Sequence, residues 1–366
     1  MVMRRGCAGT VAQGCYTETP THDKEALSWV TMSTTASATP THAHAQRSLS
    51  LRTLQPELAE QVQHLQLVSK AANTRRAYAA DWSRWAAWCT SKGLPALPAS
   101  PEVVAAYLAD HAGVLSVATL RRHLATISKA HQTAGQPSPC RSSLVADCVQ
   151  GLRRQHGRPP AAAPPLLADQ LRATLEPVPT TGAAALRDRA LLLLGWCAAL
   201  RRSELATLRW GNVSAQADGL VLTLEHSKTD HAGEGQQVPV PQQTNPALCP
   251  VRALEAWKAY CLTSLGAEAV HPEQPVLRRV TKQGQVLTAG LSGQAVAAVV
   301  QRRTAAAGLE GHQGHSLRVG LIWEASQAGV PDSALMQTTR HQGVTMLRRY
   351  QREAGLMDRA ASRGLL

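Results

Sequence analysis

A chain of 366 residues is too long for one compact core of ordinary size, so we expect two domains. Its 38 Lys and Arg against 25 Asp and Glu give a net charge of +13, which favours a polyanionic partner, either nucleic acid or an anionic membrane surface. The longest apolar run covers residues 190–200, well short of the roughly 20 residues that cross a bilayer, so no membrane span is predicted.

Residues 1–55 are rich in Thr, Ser, Ala and His without helical or strand periodicity, and we predict a disordered tail there. The basic opening MVMRRG is followed by polar residues in place of the apolar stretch of a signal peptide, which predicts a cytoplasmic protein. The eight cysteines form no CxxC pair and show no Cys/His zinc spacing. We therefore expect reduced thiols, no disulfide and no structural metal.

Three helices are predicted in the first half of the chain. One begins near residue 73 and has an apolar stripe of four side chains: Tyr78, Trp82, Trp85 and Cys89. A second spans residues 116–131, with apolar side chains on one face and basic ones on the others, and a third covers residues 143–154. The stretch HGRPPAAAPP then predicts a linker between domains, because consecutive prolines cannot continue a helix.

The second half of the chain is predicted to be mostly helical with one small antiparallel sheet. Helical patterns cover residues 166–175, 186–200, 251–262 and 292–307, and run from 316 onward with breaks at 329–331 and 343. Alternation at Leu220, Leu222 and Leu224 predicts a strand, and QVPVP predicts the returning strand of a hairpin. Its prolines place that second strand at the sheet edge.

Two basic residues in this half have both an ordinary and a functional interpretation. Arg201 follows a long apolar helix and precedes Ser203, which can cap the next helix. A cation there often only complements the helix dipole, but a rigidly held guanidinium could also grip a phosphate. Lys228, within HSKTD beyond the first strand, is either a solvated loop lysine or a proton donor that enters a DNA groove.

Two further stretches combine histidine with a second functional group. His315 and Arg318 lie three residues apart at a helix start and therefore on one side of the helix. Such pairs are common on helix surfaces, but the apolar residues that follow predict a buried helix. Both polar side chains must therefore line a site inside the protein. His341 precedes Tyr350 by nine residues, and an amphipathic basic helix with a packing tyrosine would also explain that stretch.

Taken in chain order, these Arg, Lys, His-x-x-Arg, His and Tyr positions resemble the set used by the tyrosine recombinase (phage integrase) family. ALRRSEL resembles the family's GLRxSEL box, GHSLRVG its HxxR box and SKTD its hairpin lysine segment. NTRRAYAADWSRWAAWC resembles the first helix of its core-binding domain, so the resemblance covers about residues 60–366. One departure is Arg340, which stands where many members have glycine.

The resemblance implies a mainly α, two-domain tyrosine recombinase architecture. An all-α SAM-like core-binding domain would cover residues 56–156, and a Pro/Ala-rich linker residues 157–165. A mostly helical catalytic domain with a small antiparallel β-sheet would cover residues 166–366, including a C-terminal segment.

The resemblance also implies a site-specific recombinase that cuts and rejoins duplex DNA through a 3′-phosphotyrosyl intermediate, without cofactor or metal. The implied catalytic residues are Arg201, Lys228, His315, Arg318, His341 and Tyr350. Tyr350 would be the nucleophile and Lys228 the acid for the 5′-hydroxyl leaving group. The two arginines would bind the non-bridging oxygens, and the two histidines would contact the phosphate, with His315 also a candidate base.

The family clamps DNA between its domains, so we assign DNA contacts to five basic residues of the first domain: Arg75, Arg76, Arg121, Arg122 and Lys129. A solvated basic face explains any one of them equally well. The implied partners are double-stranded DNA with a specific recombination site and a homotetramer joined by the C-terminal segment, with no membrane and no small-molecule substrate. Two alternatives stay open: DNA relaxation of the type IB topoisomerase kind, and a catalytically inactive DNA-binding regulator.

Overall fold

The computed structural model describes residues 56–68, 72–158, 163–224, 235–341 and 343. The chain divides into two compact units between Pro160 and Ala161. The described helices of the first unit are α1 (Pro56–Val68), α2 (Ala72–Ser91), α3 (Pro101–Asp110), α4 (Val117–Thr133) and α5 (Ser143–His156). The sequence patterns predicted α2, α4 and α5. They missed α1, and they missed α3, whose apolar stretch is short but whose start has a proline in the first turn.

The core of the first unit forms around aromatic rings of α2 and α3. Trp85 and Tyr107 are fully buried and meet edge to face at a centroid distance of 5.1 Å. The Trp85 indole N–H donates to the Ala96 carbonyl at 3.1 Å. The predicted stripe on α2 is thus confirmed at Trp85 and Cys89, whereas Tyr78 and Trp82 are only half-buried.

The second unit contains both helices and strands. Its described helices are α6 (Ala168–Leu175), α7 (Ala183–Cys197), α8 (Arg202–Thr207), α9 (Pro250–Leu265), α10 (Gly293–Ala306), α11 (Ser316–Gln327) and α12 (Asp332–Thr339). Its described strands are β1 (Val213–Gln216), β2 (Gly219–Leu224), β3 (Gln236–Pro241), β4 (Arg278–Val280) and β5 (Val286–Gly290). None of the described helices is both long and apolar enough to cross a membrane.

The sheet of the second unit has the strand order β1-β2-β3, with both pairings antiparallel. Leu220 and Leu222 of β2 face Val240 and Val238 of β3, and all four side chains are buried. The edge position predicted for β3 from its prolines is confirmed. The short strand β1 and the β4–β5 hairpin were not predicted, because neither has a long run of alternating large apolar residues.

Helix α7 is the centre of the second core, as its apolar composition predicted. Its residues 190–195 are all buried. Gly195 allows α11 to approach closely, since a Cβ atom at this position would lie 2.7 Å from the Leu317 side chain. The helix that begins with the HxxR motif is therefore packed directly on the helix that precedes Arg201.

The chain enters the second unit along α11. The Leu166 N–H donates to the Ser316 carbonyl at 3.0 Å, and the Ala168 N–H donates to the Glu324 carboxylate at 2.8 Å. His312 Nε2 lies 3.3 Å from the Pro165 carbonyl oxygen. Residues 165–168 are thus bonded to the first turn of α11, to Glu324 near its end, and to His312 before the helix begins. We call residues 165–168 the entry segment.

Candidate active site

The site begins where α7 ends. Ala199 has a left-handed backbone with φ of 46°, and the Leu200 N–H donates to the Gly195 carbonyl at 3.0 Å. The Ala199 N–H donates to the Trp196 carbonyl at 3.1 Å, which completes a Schellman motif. The motif reverses the chain direction and leads directly to Arg201 at the start of α8.

Arg201 occupies the N-cap position of α8, so the prediction that Ser203 caps this helix was wrong. The Glu204 carboxylate performs the capping, since its Oε2 accepts the Arg201 backbone N–H at 2.8 Å. The same carboxylate pairs with the Arg201 guanidinium, with Nη1 and Oε1 2.6 Å apart. Arg201 is held at both backbone and side chain, yet 19% of its side chain is exposed and open to a ligand.

Arg318, on the first turn of α11, is only 1% exposed. Its Nη1 donates to the Ala199 carbonyl at 2.8 Å, and its Nη2 donates to the Thr339 carbonyl and to His341 Nε2, the latter at 3.1 Å. A buried guanidinium requires such acceptors, and the free carbonyls at a helix C-terminus also attract cations. The end of α7 therefore fixes Arg318 as well as Arg201.

The hydrogen bonds of His341 define its tautomer. The Thr339 hydroxyl has one proton, which it donates to the Leu335 carbonyl at 2.6 Å. His341 Nδ1, 3.0 Å from that hydroxyl oxygen, must therefore be the donor of the second bond. His341 Nε2 is then unprotonated and accepts from Arg318.

The pKa of His341 agrees with this neutral form. Burial, followed by the charges of Arg318 and Arg201, lowers the pKa of His341 from 6.5 to about 4. His315 stands at the N-cap of α11 with an exposed surface. Partial desolvation of the imidazole ring, followed by the charges of Arg318 and Arg201, lowers the pKa of His315 as well. An anion bound beside these rings would favour their protonated, hydrogen-donating forms.

The structure thus brings together four residues from three segments: Arg201, His315, Arg318 and His341. Lys228 and Tyr350 lie outside the described residues. Across the described ranges, no group of three or more His, Cys, Asp or Glu side chains is arranged to hold a metal ion. The six cysteines in this part of the chain are all free thiols.

Two residues of the site were not assigned from sequence, Glu204 and Arg340. Arg340 ends α12 in a left-handed conformation, with φ of 57°, and its Nη2 pairs with Glu204 Oε2 at 2.8 Å. Burial alone would raise the pKa of Glu204, but Arg340 and Arg201 lower it overall, so the carboxylate is ionised. In the sequence, Glu204 could have been found from its position three residues after Arg201, where a glutamate caps a helix start. Arg340 could have been found because it stands where many family members have glycine.

The residues predicted to contact DNA lie on α2 and α4 of the first unit. Arg76, Arg121, Arg122 and Lys129 are exposed, and Arg75 is half-buried. Arg122 forms a two-pronged ion pair with buried Asp81, with N–O distances of 2.7 and 2.9 Å. Asp81 also lies 3.1 Å from His123 Nε2. The Arg122 guanidinium therefore has a structural bond as well as an exposed surface.

One protein family and two curated relatives match the sequence of this chain. The profile of the phage integrase family matches residues 165–355. An integrase/recombinase XerD homolog of Selenomonas ruminantium is 33% identical over 301 residues, covering 81% of this chain and 86% of the relative. The Cre recombinase of Escherichia phage P1 is 27% identical over 304 residues, covering 76% of this chain and 85% of the relative.

Solved structures share the fold. The XerH site-specific recombinase, bound to a palindromic difH substrate after cleavage, superposes with a TM-score of 0.57 at 16% identity, over 87% of this chain and 85% of that chain. A lambda integrase tetramer bound to a Holliday junction gives a TM-score of 0.52 at 18% identity, over 81% of this chain and 78% of that chain.

Proposed function

From the premise that this chain belongs to the phage integrase family of tyrosine recombinases, we propose that Arg201, His315, Arg318 and His341 bind the scissile phosphate in its active site. The protein is a site-specific DNA recombinase, which cleaves and rejoins DNA strands. We assign the nucleophile to Tyr350 and the general acid to Lys228. The observation that supports the proposal is the convergence of four predicted residues, from three segments, on the C-terminal end of α7.

The proposed reaction is a transesterification. The Tyr350 oxygen attacks the scissile phosphorus, and its proton passes to a base, for which His315 is the candidate. The bond from phosphorus to the 5′-oxygen breaks, and Lys228 protonates that oxygen. One phosphodiester bond is exchanged for a 3′-phosphotyrosyl bond of similar energy, so no cofactor is needed for strand exchange. Attack by a 5′-hydroxyl reverses the step and rejoins the strands.

The positive charges of the site suit this chemistry. A phosphodiester gains negative charge as it approaches the transition state, and preorganised cationic donors stabilise that charge. Arg201 and Arg318 are fixed by backbone carbonyls and Glu204 before any substrate arrives. Both guanidinium groups are therefore held in position without substrate, and Arg318, which is only 1% exposed, has to be uncovered for the phosphate to reach it.

We propose further that the partner is double-stranded DNA with a specific recombination site and that four protomers assemble on it in the cytoplasm, with no small-molecule substrate. An apolar groove in the second unit, lined by the partly exposed side chains of Val221, Leu321 and Ala325, supports the assembly. The C-terminal residues 355–366, which end in Gly-Leu-Leu, would occupy this groove in a neighbouring protomer. Truncation before residue 355 should keep DNA binding but prevent tetramers in light scattering.

Covalent trapping tests the catalytic assignment. The binding site is first selected from random duplex DNA, and a nick near the cleavage position then lets the leaving strand diffuse away. Denaturing electrophoresis should show a protein–DNA adduct for the wild type and none for Tyr350→Phe. Tyr260→Phe is the matched control, because Tyr260 stacks on Trp257 in α9 at 6.3 Å, and it should still form the adduct. A wild type that binds its site without forming an adduct would overturn the proposal.

A further inference from the structure

Among the described residues, only Ala199 and Arg340 combine a side chain with a left-handed backbone, at φ of 46° and 57°. Both end helices at the site, and they contact each other, since Arg340 Nη2 donates to the Ala199 carbonyl at 3.1 Å. Glycine adopts this conformation at least cost, whereas other residues lose about 1 kcal/mol or more. A side chain retained at position 340 despite this cost calls for a compensating interaction.

The Arg340 side chain reaches the inside of the site and is only 2% exposed. Its Nη1 donates to the carbonyls of Ala198 and Thr338, at 3.3 and 2.8 Å. Its Nη2 pairs with Glu204 at 2.8 Å. Glu204 in turn holds Arg201 through its backbone N–H and its guanidinium. The Glu204 carboxylate therefore links Arg340 to Arg201, the arginine assigned to the phosphate.

The arrangement changes the charge that Arg201 presents. A pair of Glu204 and Arg201 alone would be neutral, and its carboxylate would reduce the attraction of Arg201 for an anion. With Arg340 on the opposite side, the group has two positive charges and one negative charge. Because Glu204 and Arg340 are buried, solvent screens these charges only weakly.

We propose that Arg340 is a positioning residue that compensates the charge of Glu204, so that Arg201 is held in place and still presents a net positive charge to the scissile phosphate. The inference rests on the proposed role of Arg201 and deepens it. Arg340 itself does not touch the phosphate. Where many family members have glycine, this chain has a fixed positive charge on the side of Glu204 away from Arg201.

The substitution Arg340→Gly separates this role from backbone effects. Glycine accepts the left-handed conformation without strain, which offsets only part of the lost buried ion pair and hydrogen bonds of Arg340. The variant should therefore fold with a lowered melting temperature, and its cleavage is compared per folded molecule. Its single-turnover cleavage of the nicked substrate should fall roughly 10- to 100-fold, with site affinity changed less than about threefold. Arg172→Gln, which removes a guanidinium 64% exposed on α6, should cleave at the wild-type rate.

Chemical rescue distinguishes charge compensation from packing. Millimolar guanidinium chloride should restore part of the cleavage rate of Arg340→Gly, because the ion can enter the vacated space beside Glu204. Sodium chloride at the same ionic strength should not restore it. Arg340→Lys should fall between the wild type and Arg340→Gly, since it keeps the charge but cannot reach all the carbonyl acceptors.

Three results overturn the inference: wild-type cleavage by Arg340→Gly, a loss of rate that only follows loss of folding, or a loss that guanidinium does not reduce. Arg201→Ala separates this failure from failure of the proposed function. If Arg201→Ala cleaves normally, the assignment of Arg201 falls. If Arg201→Ala is inactive while Arg340→Gly is unaffected, only the role of Arg340 falls.

Discussion

Two buried carboxylates of the second unit are each surrounded by arginines, yet their surroundings differ. Asp188, on α7, accepts bonds from Arg187, Arg302 and Arg303 at 2.6 to 2.9 Å. Glu204, on α8, accepts from Arg201 and Arg340 at 2.6 to 2.8 Å. The side chain of Arg302 is 55% exposed, whereas that of Arg340 is 2% exposed.

The difference shows that ion-pair chemistry alone does not identify a functional site. The Asp188 cluster joins α7 to α10, and its outermost arginine is more than half exposed, so water screens its excess positive charge. The Glu204 cluster keeps its excess charge beside Arg318 and two histidines whose pKa values are lowered. A cluster becomes a candidate site when its residual charge faces other fixed charges and titratable groups.

The largest effect should come from Arg201→Ala, which removes the proposed phosphate ligand from the Glu204 cluster. Cleavage of the nicked substrate in a single turnover should fall about 1,000-fold, as when one preorganised donor to a transition-state anion is lost. Arg202→Ala is the matched control, because the adjacent side chain is exposed. Equal losses for both variants would show that Arg201 acts only as part of a general basic surface.

The Asp188 cluster should respond in stability rather than in chemistry. Asp188→Asn leaves Arg187 buried without a counter-charge, so the free energy of unfolding should fall by about 3 kcal/mol. The cleavage rate per folded molecule should not change. Asp169→Asn, at a carboxylate 94% exposed, should leave urea unfolding unaltered. A catalytic defect in folded Asp188→Asn would remove the distinction between the two clusters.

The histidine beside the Glu204 cluster gives that cluster a pH signature of its own. His341 has a folded pKa of about 4 against 6.5 for the free side chain, so the unfolded chain binds more protons between these values. Stability from this group is complete above pH 6.5 and is lost as pH falls toward 4, by at most about 1.4 kcal/mol per pH unit. His341→Gln should show a shallower acid loss in denaturant titrations; an unchanged slope would contradict the assigned neutral state.

The smallest effect extends the comparison to the first unit, where Asp81 holds Arg122 by two bonds. Exposed Lys129 has more freedom to meet a phosphate. Lys129→Gln should lower the slope of log affinity against log salt by about 0.9, the loss of one phosphate contact. Arg122→Gln should lower that slope less and stability more. Fluorescence anisotropy over a salt series measures the slopes, and the opposite ranking would make Arg122 the principal contact.

Much of the site was accessible from sequence because its residues lie in short motifs. Arg201, His315, Arg318 and His341 were assigned from their local patterns and from family resemblance, and the fold places them together. Glu204 was missed as a member of the site because nothing local shows that its carboxylate joins two arginines 139 positions apart, Arg201 and Arg340. The capping of α8 was misassigned because a serine hydroxyl is the usual cap, whereas here the Glu204 side chain bonds the Arg201 N–H.

The fold showed the same division between local and distant information. Apolar periodicity predicted α2, α4 and α7, and proline predicted the edge position of β3. The β4–β5 hairpin had no such signal, because Arg278 is buried there by hydrogen bonds to distant carbonyls, among them those of Ala269 and Thr288. A charged residue at a core position contradicts the alternation by which strands are recognised.

The entry segment has a mechanical consequence. Its bonds to Ser316 and Glu324 lie along α11, whose first turn orients Arg318 next to His315. A force that pulls on the entry segment therefore acts on α11 through several hydrogen bonds at once. Gly320 lets the Leu166 carbonyl lie against α11, so the entry segment is attached directly to this rigid helix.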